Sequence, residues 1–299
     1  MPLKNKYLLI INPVSGTKKI KNIVNKICYC LDKYNIKPNI FLSKYKNHIK
    51  EHIKTLSSET FTDIIIWGGD GTFNEVINGL LNRNDKYLPT LGFLPGGTGN
   101  SVMHDLQGLT LDAAAHIIGK NNKKMIDVME IKFSNMTEYS INIVGWGMVA
   151  DIASLAEKLR WLGPIRYTLA SIIYITISKG RDGTLTIDNI IDKNSFFFIT
   201  ISNTIFTGKG MKISPQAKLD DGLLDINIVK SNINKFKLAY LLPKLFTGQH
   251  ITSKHVNYLQ GQNINIDFYK KQKINIDGEI KKGSGIKIKI LPQKLPIYY

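Results

Sequence analysis

The chain has 299 residues, 43% hydrophobic and 21% charged, a balance that excludes a disordered or collagen-like polypeptide and leaves room for one large or two ordinary domains. Lys and Arg number 40 against 23 Asp and Glu, and the net charge of +17 draws polyanions such as nucleotides, nucleic acid or anionic lipid surfaces without choosing among them. Its two cysteines, Cys28 and Cys30, lie two apart on a helical pattern that turns them away from each other, which excludes a disulfide framework and a four-ligand zinc site and fits a reducing compartment.

In chain order, Tyr7 to Ile11 is an apolar run too short for a signal peptide or a spanning helix, so a cytoplasmic chain is expected. It reads as a buried strand with Asn12-Pro13-Val14-Ser15-Gly16 as its exit loop. Ile20, Ile23, Val24, Ile27, Leu31 and Tyr34 then recur at three- and four-residue steps, the stripe of an amphipathic helix. Ile40 to Leu42 make a second strand, Ile49, Ile53 and Leu56 a second helical face, and Asp63 to Trp67 a third strand. A glycine turn, a helix with Phe73, Val76, Ile77, Leu80 and Leu81, and a strand Thr90 to Leu94 complete the series. Alternating strand and helix patterns are the mark of βα units around a parallel sheet.

After the turn-like Gly119 to Lys124 the texture becomes strand-rich, so a boundary is expected between residues 1–125 and 126–299. Strands are expected over Asp127–Phe133, Tyr139–Val144, Phe196–Ser202, Leu224–Val229, Ile264–Phe268, Lys273–Asp277 and Ile286–Leu291, a set that suits an antiparallel sandwich. Val149–Leu162 and Tyr167–Ile177 read as helices, and Phe236–Phe246 as a helix broken at Pro243. Tyr167–Ile177 is apolar nearly all round, which fits either a buried helix or one lying at a membrane interface, with Arg160, Trp161, Arg166 and Lys179 at its borders. The lysines are scattered without aromatic interleaving, so no nucleic-acid groove is expected. The six histidines lack metal-ligand spacing.

Gly68-Gly69-Asp70-Gly71-Thr72 sits where a buried strand turns into a helix, so backbone N–H groups and the positive helix end can face one anion. Glycine allows close approach of a phosphate and positive φ. Asp70 among such amides repels an anion unless it works through a metal ion or a ribose hydroxyl, which places it near Mg²⁺ or the nucleotide. Asn12 to Gly16 and Pro95-Gly96-Gly97-Thr98-Gly99-Asn100 follow strands in the same way, and loops at the carboxyl ends of parallel strands line one crevice. Neither the P-loop nor the dinucleotide spacing occurs. Asp277-Gly278-Glu279 reads as an Asp-Gly hairpin turn or as a pair of carboxylates at a strand end.

Together these segments resemble the catalytic domain of diacylglycerol kinases and related lipid kinases. Gly-Gly-Asp-Gly-Thr is shared with NAD kinases and phosphofructokinases; its extension Phe73-Asn74-Glu75-Val76-Ile77-Asn78-Gly79 and the Asn-Pro-x-Ser-Gly loop are what point to lipids. The likeness continues through Leu162 to Tyr167, Ala217 to Asp225 and Asp277 to Glu279, nearly the whole chain. It implies an α/β N-terminal domain with a parallel sheet, phosphofructokinase- and NAD-kinase-like, then a β-sandwich domain that carries the lipid substrate, with the active site in the cleft between them and the last residues returning to the first domain. It implies ATP as co-substrate with Mg²⁺, bound through Asn12, Pro13, Val14, Ser15, Gly16, Ser43, Gly69, Asp70, Gly71, Thr72, Phe73, Asn74, Glu75 and Thr98. Asp221, with backbone carbonyls of Lys218 and Leu223, resembles the metal-organising carboxylate, and Glu279 the general base, beside Asp70 as the second catalytic carboxylate.

The activity so implied is transfer of a phosphoryl group from ATP to a lipid hydroxyl, diacylglycerol first, by a peripherally membrane-associated enzyme. Bacterial members commonly carry Asp where Ser101 follows Asn100 here, a departure that bears on the acceptor and keeps sphingoid-base and ceramide kinases as alternatives. A nonenzymatic nucleotide- or anionic-lipid-binding protein and, more distantly, an NAD kinase are the readings of other classes. A homodimer is compatible with the sequence, which sets no oligomeric state.

Overall fold

A computed structural model of the chain describes residues 6–13, 20–57, 60–85, 87–163 and 165–299. They divide into two compact units, one running to Ile126 and taking back Gln293–Tyr299, the other Asp127–Pro292.

The first unit is a parallel sheet. β1 (Tyr7–Ile11) is followed by α1 (Ile20–Asp32), β2 (Asn39–Leu42), α2 (His48–Thr55), β3 (Asp63–Gly68), α3 (Asp70–Leu81), β4 (Thr90–Pro95), α4 (Ser101–Asp105) and α5 (Leu111–Gly119). The strand order is β2-β1-β3-β4. Leu8 to Ile11 and Ile64 to Ile66 are fully enclosed, as unbroken apolar runs must be in a strand covered on both faces. The sequence pattern passes over α4 and α5; α5 starts at Thr110, whose side chain accepts from the Ala113 amide at 3.2 Å. The returning tail adds a strand beside β4, with Ile297 opposite Leu91.

The second unit is antiparallel: β5 (Lys123–Lys132, which begins in the first unit), β6 (Thr137–Ser140), β7 (Ile143–Gly147), α6 (Met148–Lys158), a 3₁₀ turn (Arg160–Leu162), α7 (Ile165–Ile177), β8 (Arg181–Ile187), β9 (Ile190–Ser202), β10 (Leu224–Lys230), α8 (Lys235–Thr247), β11 (Asn257–Gly261), β12 (Asn263–Ile276) and β13 (Glu279–Tyr298). Two long strands make its layers. β9 pairs with β8 through Ile190–Phe196 and with β7 through Phe198–Ser202. β12 pairs with β8 through Ile264–Phe268 and with β7 through Ile274–Ile276, the register slipping between Asp267 and Gln272. That irregularity bends the strand from one layer to the other. Trp146, Phe196, Ile199, Leu224, Ile266 and Ile286 fill the space enclosed.

Several expectations change. Tyr139–Val144 is two strands, because the chain turns at Asn142, whose amide donates to Ser140 Oγ at 3.1 Å. Ile264–Phe268 and Lys273–Ile276 belong to one bent strand, Asn263–Ile276, and Asp277 falls in the turn after it. α8 runs through Pro243 unbroken; the ring removes one backbone donor on an exposed side of the helix. Both cysteines are free.

Candidate active site

In the first unit the parallel registers Ile11↔Leu42, Ile11↔Trp67 and Trp67↔Leu94 end the strands level, so the loops after them share one edge of the sheet. Backbone bonds stitch these loops together: Asn12 N to Trp67 O at 3.3 Å, Ser43 N to Ile11 O at 2.9 Å and Gly96 N to Gly68 O at 2.8 Å. Asn12 Nδ2 donates to Thr72 Oγ1 at 3.1 Å, tying the first loop to the first turn of α3. Pro13 lies beside Asn12; Val14, Ser15 and Gly16 lie outside the described residues.

The glycines work differently from the sequence expectation. Gly68, Gly69, Gly71, Gly96 and Gly97 are not among the residues with positive φ. What they provide is close approach between loops. A Cβ on Gly68 meets Thr72 Cβ at 2.4 Å, and one on Gly97 meets Gly69 Cα at 2.5 Å. Gly71 is the exception, since a Cβ there finds nothing within 4 Å. It is exposed in the first turn of α3, where helix N–H groups lack intrahelical acceptors, and Thr98 is exposed in the loop after β4.

Asp70 has partners of its own within the fold. Its carboxylate accepts from Ser101 Oγ at 3.0 Å, Ser101 N at 3.2 Å and Val102 N at 3.5 Å, so in this fold it ties α3 to the start of α4. Burial pushes its pKa above the ordinary carboxylate range, against the opposing pull of the Ser101 bonds. Ser101, expected to bear on the acceptor lipid, is 2% exposed and spends its hydroxyl on Asp70, leaving no side-chain surface for a lipid. Phe73 turns into the core against Phe93, ring centroids 4.7 Å apart. Asn74 accepts from Asn78 Nδ2 at 3.0 Å, and Glu75 Oε1 takes the Asn47 amide at 3.4 Å. The segment 69–75 therefore divides into internal struts and one open turn at Gly71.

In the second unit Asp221 is exposed on a turn, its Oδ1 accepting from its own Leu223 N at 3.1 Å, with Gly222 at φ 72. Lys218 is exposed and Leu223 half-buried in the same turn. The clamp is a residue that sequence reasoning missed. Asp127, fully buried, accepts from Gly222 N at 2.7 Å through Oδ2, and its backbone N–H donates to Leu219 O at 2.7 Å. An aspartate inside the apolar run Ile126 to Ile131 was the available signal. Among the described residues no group of three or more His, Cys, Asp or Glu gathers as a metal cluster. Asp221 follows Asp220 on this turn and lies near enough to Asp225 for the two charges to interact, and a carboxylate so exposed suits an ion such as Mg²⁺ that keeps several waters.

Asp277 and Gly278 have φ 49 and 92, and Ile276 pairs with Glu279, which is a two-residue type I′ hairpin. The Asp277 carboxylate is used inside, accepting from Ser140 Oγ at 2.7 Å and Ile143 N at 2.9 Å. Glu279 opens β13 half-buried, with Oε2 3.4 Å from Lys281 Nζ, which also reaches Glu138 Oε1 at 3.1 Å. Burial opposes the Lys281 charge, yet Glu138 and Glu279 together raise its pKa.

Residues 6–131 match the diacylglycerol kinase catalytic domain, and residues 142–299 the YegS C-terminal NAD kinase beta sandwich-like domain. The chain is 28% identical to sphingosine kinase 2 of Arabidopsis thaliana, over 85% of its own length and 63% of that protein, so it spans less than two thirds of that relative. With the diacylglycerol kinase of Bacillus subtilis (strain 168) it shares 26% identity over 91% of this chain and 88% of that one. A solved diacylglycerol kinase structure from Bacillus anthracis str. Sterne superposes with a TM-score of 0.83 at 25% identity, covering 100% of this chain and 98% of the other. With both domains matched in order and the glycine loops in their places at the strand ends, the chain belongs to the diacylglycerol kinase catalytic-domain family.

Proposed function

We propose that the protein is an ATP-dependent lipid kinase whose acceptor is diacylglycerol and whose product is phosphatidic acid. The observation that carries this reading is the open first turn of α3, where Gly71 leaves room for phosphate oxygens against helix N–H groups while Gly68, Gly69, Gly96 and Gly97 are crowded by packing. Membership of the family supports ATP as the donor.

The reaction is an in-line displacement at the γ-phosphorus. The lipid hydroxyl oxygen bonds to phosphorus as the bond to the β-phosphate bridging oxygen breaks, ADP leaves, and the hydroxyl proton goes to the Glu279 carboxylate. Asn12, Thr72, Gly97 and Thr98 shape the phosphate side, Asn12 by holding Thr72. Mg²⁺, when bound, neutralises charge across the phosphates; Asp221, with the carbonyls of Lys218 and Leu223, is the set that would hold it. Asp70 acts through α4. The acceptor sits in a bilayer, so the enzyme works at a membrane surface.

A sphingoid base is the second reading, favoured by the likeness to the Arabidopsis sphingosine kinase. Transfer from γ-labelled ATP to a panel of diacylglycerol, sphingosine, ceramide and NAD tests both. Labelled phosphatidic acid is the expected product. A labelled sphingoid phosphate moves the assignment to the second reading, phosphorylation of NAD alone overturns both, and ATP binding without transfer to any acceptor makes the protein a binding module.

A further inference from the structure

The parallel sheet of the first unit ends on a strand with one neighbour: among the described residues β2 pairs with β1 alone. Ser43 N donates to Ile11 O, so by the alternation of a strand Phe41 also turns its N–H and C=O toward β1. Ile40 and Leu42 then turn theirs away from the sheet. Side chains divide in the same rhythm of two. α1 joins β1 to β2 and α2 returns from β2 to β3 across β1, and right-handed crossovers place these helices on opposite faces. Phe41 lies on the α2 face, its ring stacked on His52 with centroids 3.8 Å apart. Ile40 and Leu42 take the α1 face, where they are 45% and 39% exposed. A groove of about 370 Å³ opens where the chain enters β2, lined by Cys28, Tyr29 and Asp32 of α1 and by Ile36, Lys37 and Pro38. It lies at the opposite end of the strand from Ser43 and the loops of the candidate active site.

Outward donors and acceptors along an edge pair with a further strand, and pockets for alternate side chains decide which one. The charges around β2 select the occupant. Exposed Lys37 and Lys44 stand at its two ends. Between Lys21 and Lys50 the chain has one acidic residue, Asp32. A second copy fits poorly: a symmetric antiparallel pair that aligns Asn39 to Leu42 sets each Lys37 opposite Lys44 of the partner subunit, and like charges directly opposite destabilise a sheet. A strand with a carboxylate at each end is drawn by the same two lysines. Asp32 on the groove wall repels an acid there, so the side chain that enters the groove is uncharged.

We infer that the β2 edge is a docking surface for an extended segment of another protein, apolar at alternate positions against Ile40 and Leu42 and acidic at its ends. The inference goes beyond the lipid-kinase reading and does not rest on it.

A fluorescein-labelled peptide, Glu at both ends with Val and Thr alternating between, is titrated with the full chain and followed by anisotropy. Binding is expected at low salt and weakens at high salt. Pro in place of the central Val, or Lys in place of both Glu, weakens it by about tenfold or more. Lys37→Glu weakens the Glu-ended peptide by about fivefold and strengthens the Lys-ended one. Ile40→Pro removes an outward donor and no ladder bond, so Tm holds while affinity falls by about tenfold. Hydrogen exchange on the unsubstituted chain gives a readout that no folding defect can disturb. Bound peptide slows the Ile40 and Leu42 amides and leaves the Phe41 amide, already turned to β1, as it was. Equal affinity for the Pro-interrupted peptide reduces the attraction to charge alone and overturns the inference. Unslowed Ile40 and Leu42 amides overturn it too, as does a concentration-dependent dimer that slows them while no peptide binds. Lipid phosphorylation, present or absent, moves none of these readouts, so the two readings fail separately.

Discussion

Glu279, the proposed proton acceptor, is a half-buried carboxylate at the head of a strand, with the Lys281 ammonium beside it. Glu279→Gln is expected to lower kcat by roughly 10²–10⁴ with nucleotide affinity kept, the usual scale for a positioned acid–base group; steady-state kinetics beside a nucleotide-binding titration check it, and wild-type turnover removes Glu279 from the mechanism. The glycines divide by experiment as they do by geometry. Gly97→Ala forces a Cβ to within 2.5 Å of Gly69 Cα and lowers Tm, whereas Gly71→Val meets open space, leaves Tm near wild type and takes away ATP affinity. Equal ATP affinity in Gly71→Val moves the phosphate site elsewhere. The glycine-rich motif was legible in the sequence, but its reason was not. Positive φ is a local property that one segment advertises, while the actual cause, Gly97 lying on Gly69, belongs to two loops separated by a helix and a strand.

At the scale of elements, the same limit appears wherever a long-range bond sets a local shape. The run Tyr139–Val144 looks like one strand because nothing near it announces that Ser140 and the Ile143 amide both bond Asp277 from the far end of the chain. βα alternation in the first unit needed no such knowledge: apolar runs, stripes and glycine turns repeat in order, and the strands fall where the runs are. Asp127 is the case with functional weight, since it clamps the turn that carries Asp221. Asp127→Ala strands the Gly222 amide without its acceptor, which costs about 1–3 kcal/mol, and raises the Mg²⁺ concentration needed for half-maximal activity. Asp221→Ala, an exposed change, raises that concentration with Tm unmoved. Thermal melts and activity against MgCl₂ separate the two, and an unaltered Mg²⁺ requirement in Asp221→Ala takes this turn out of metal binding.

For the whole molecule, the tail Gln293–Tyr299 belongs to a unit whose other residues all precede the second one. Its anchor is buried Asp63, which accepts from Tyr298 Oη at 2.6 Å and pairs with Lys123 at 3.0 Å. Burial and the Asp63 carboxylate push the Tyr298 phenol far above its ordinary range, so it stays a donor. Tyr298→Phe is expected to cost about 1–3 kcal/mol in urea unfolding through the lost bond to a buried carboxylate; an unchanged midpoint makes the tail dispensable. This return of the chain sets a timetable. During synthesis β4 leaves the ribosome with one edge bare, and the strand that covers it is made only after the whole second unit. The nascent first sheet therefore waits through most of translation with open hydrogen-bonding groups and a buried aspartate short of a donor, an interval in which it is open to pairing with other chains and to holdase chaperones.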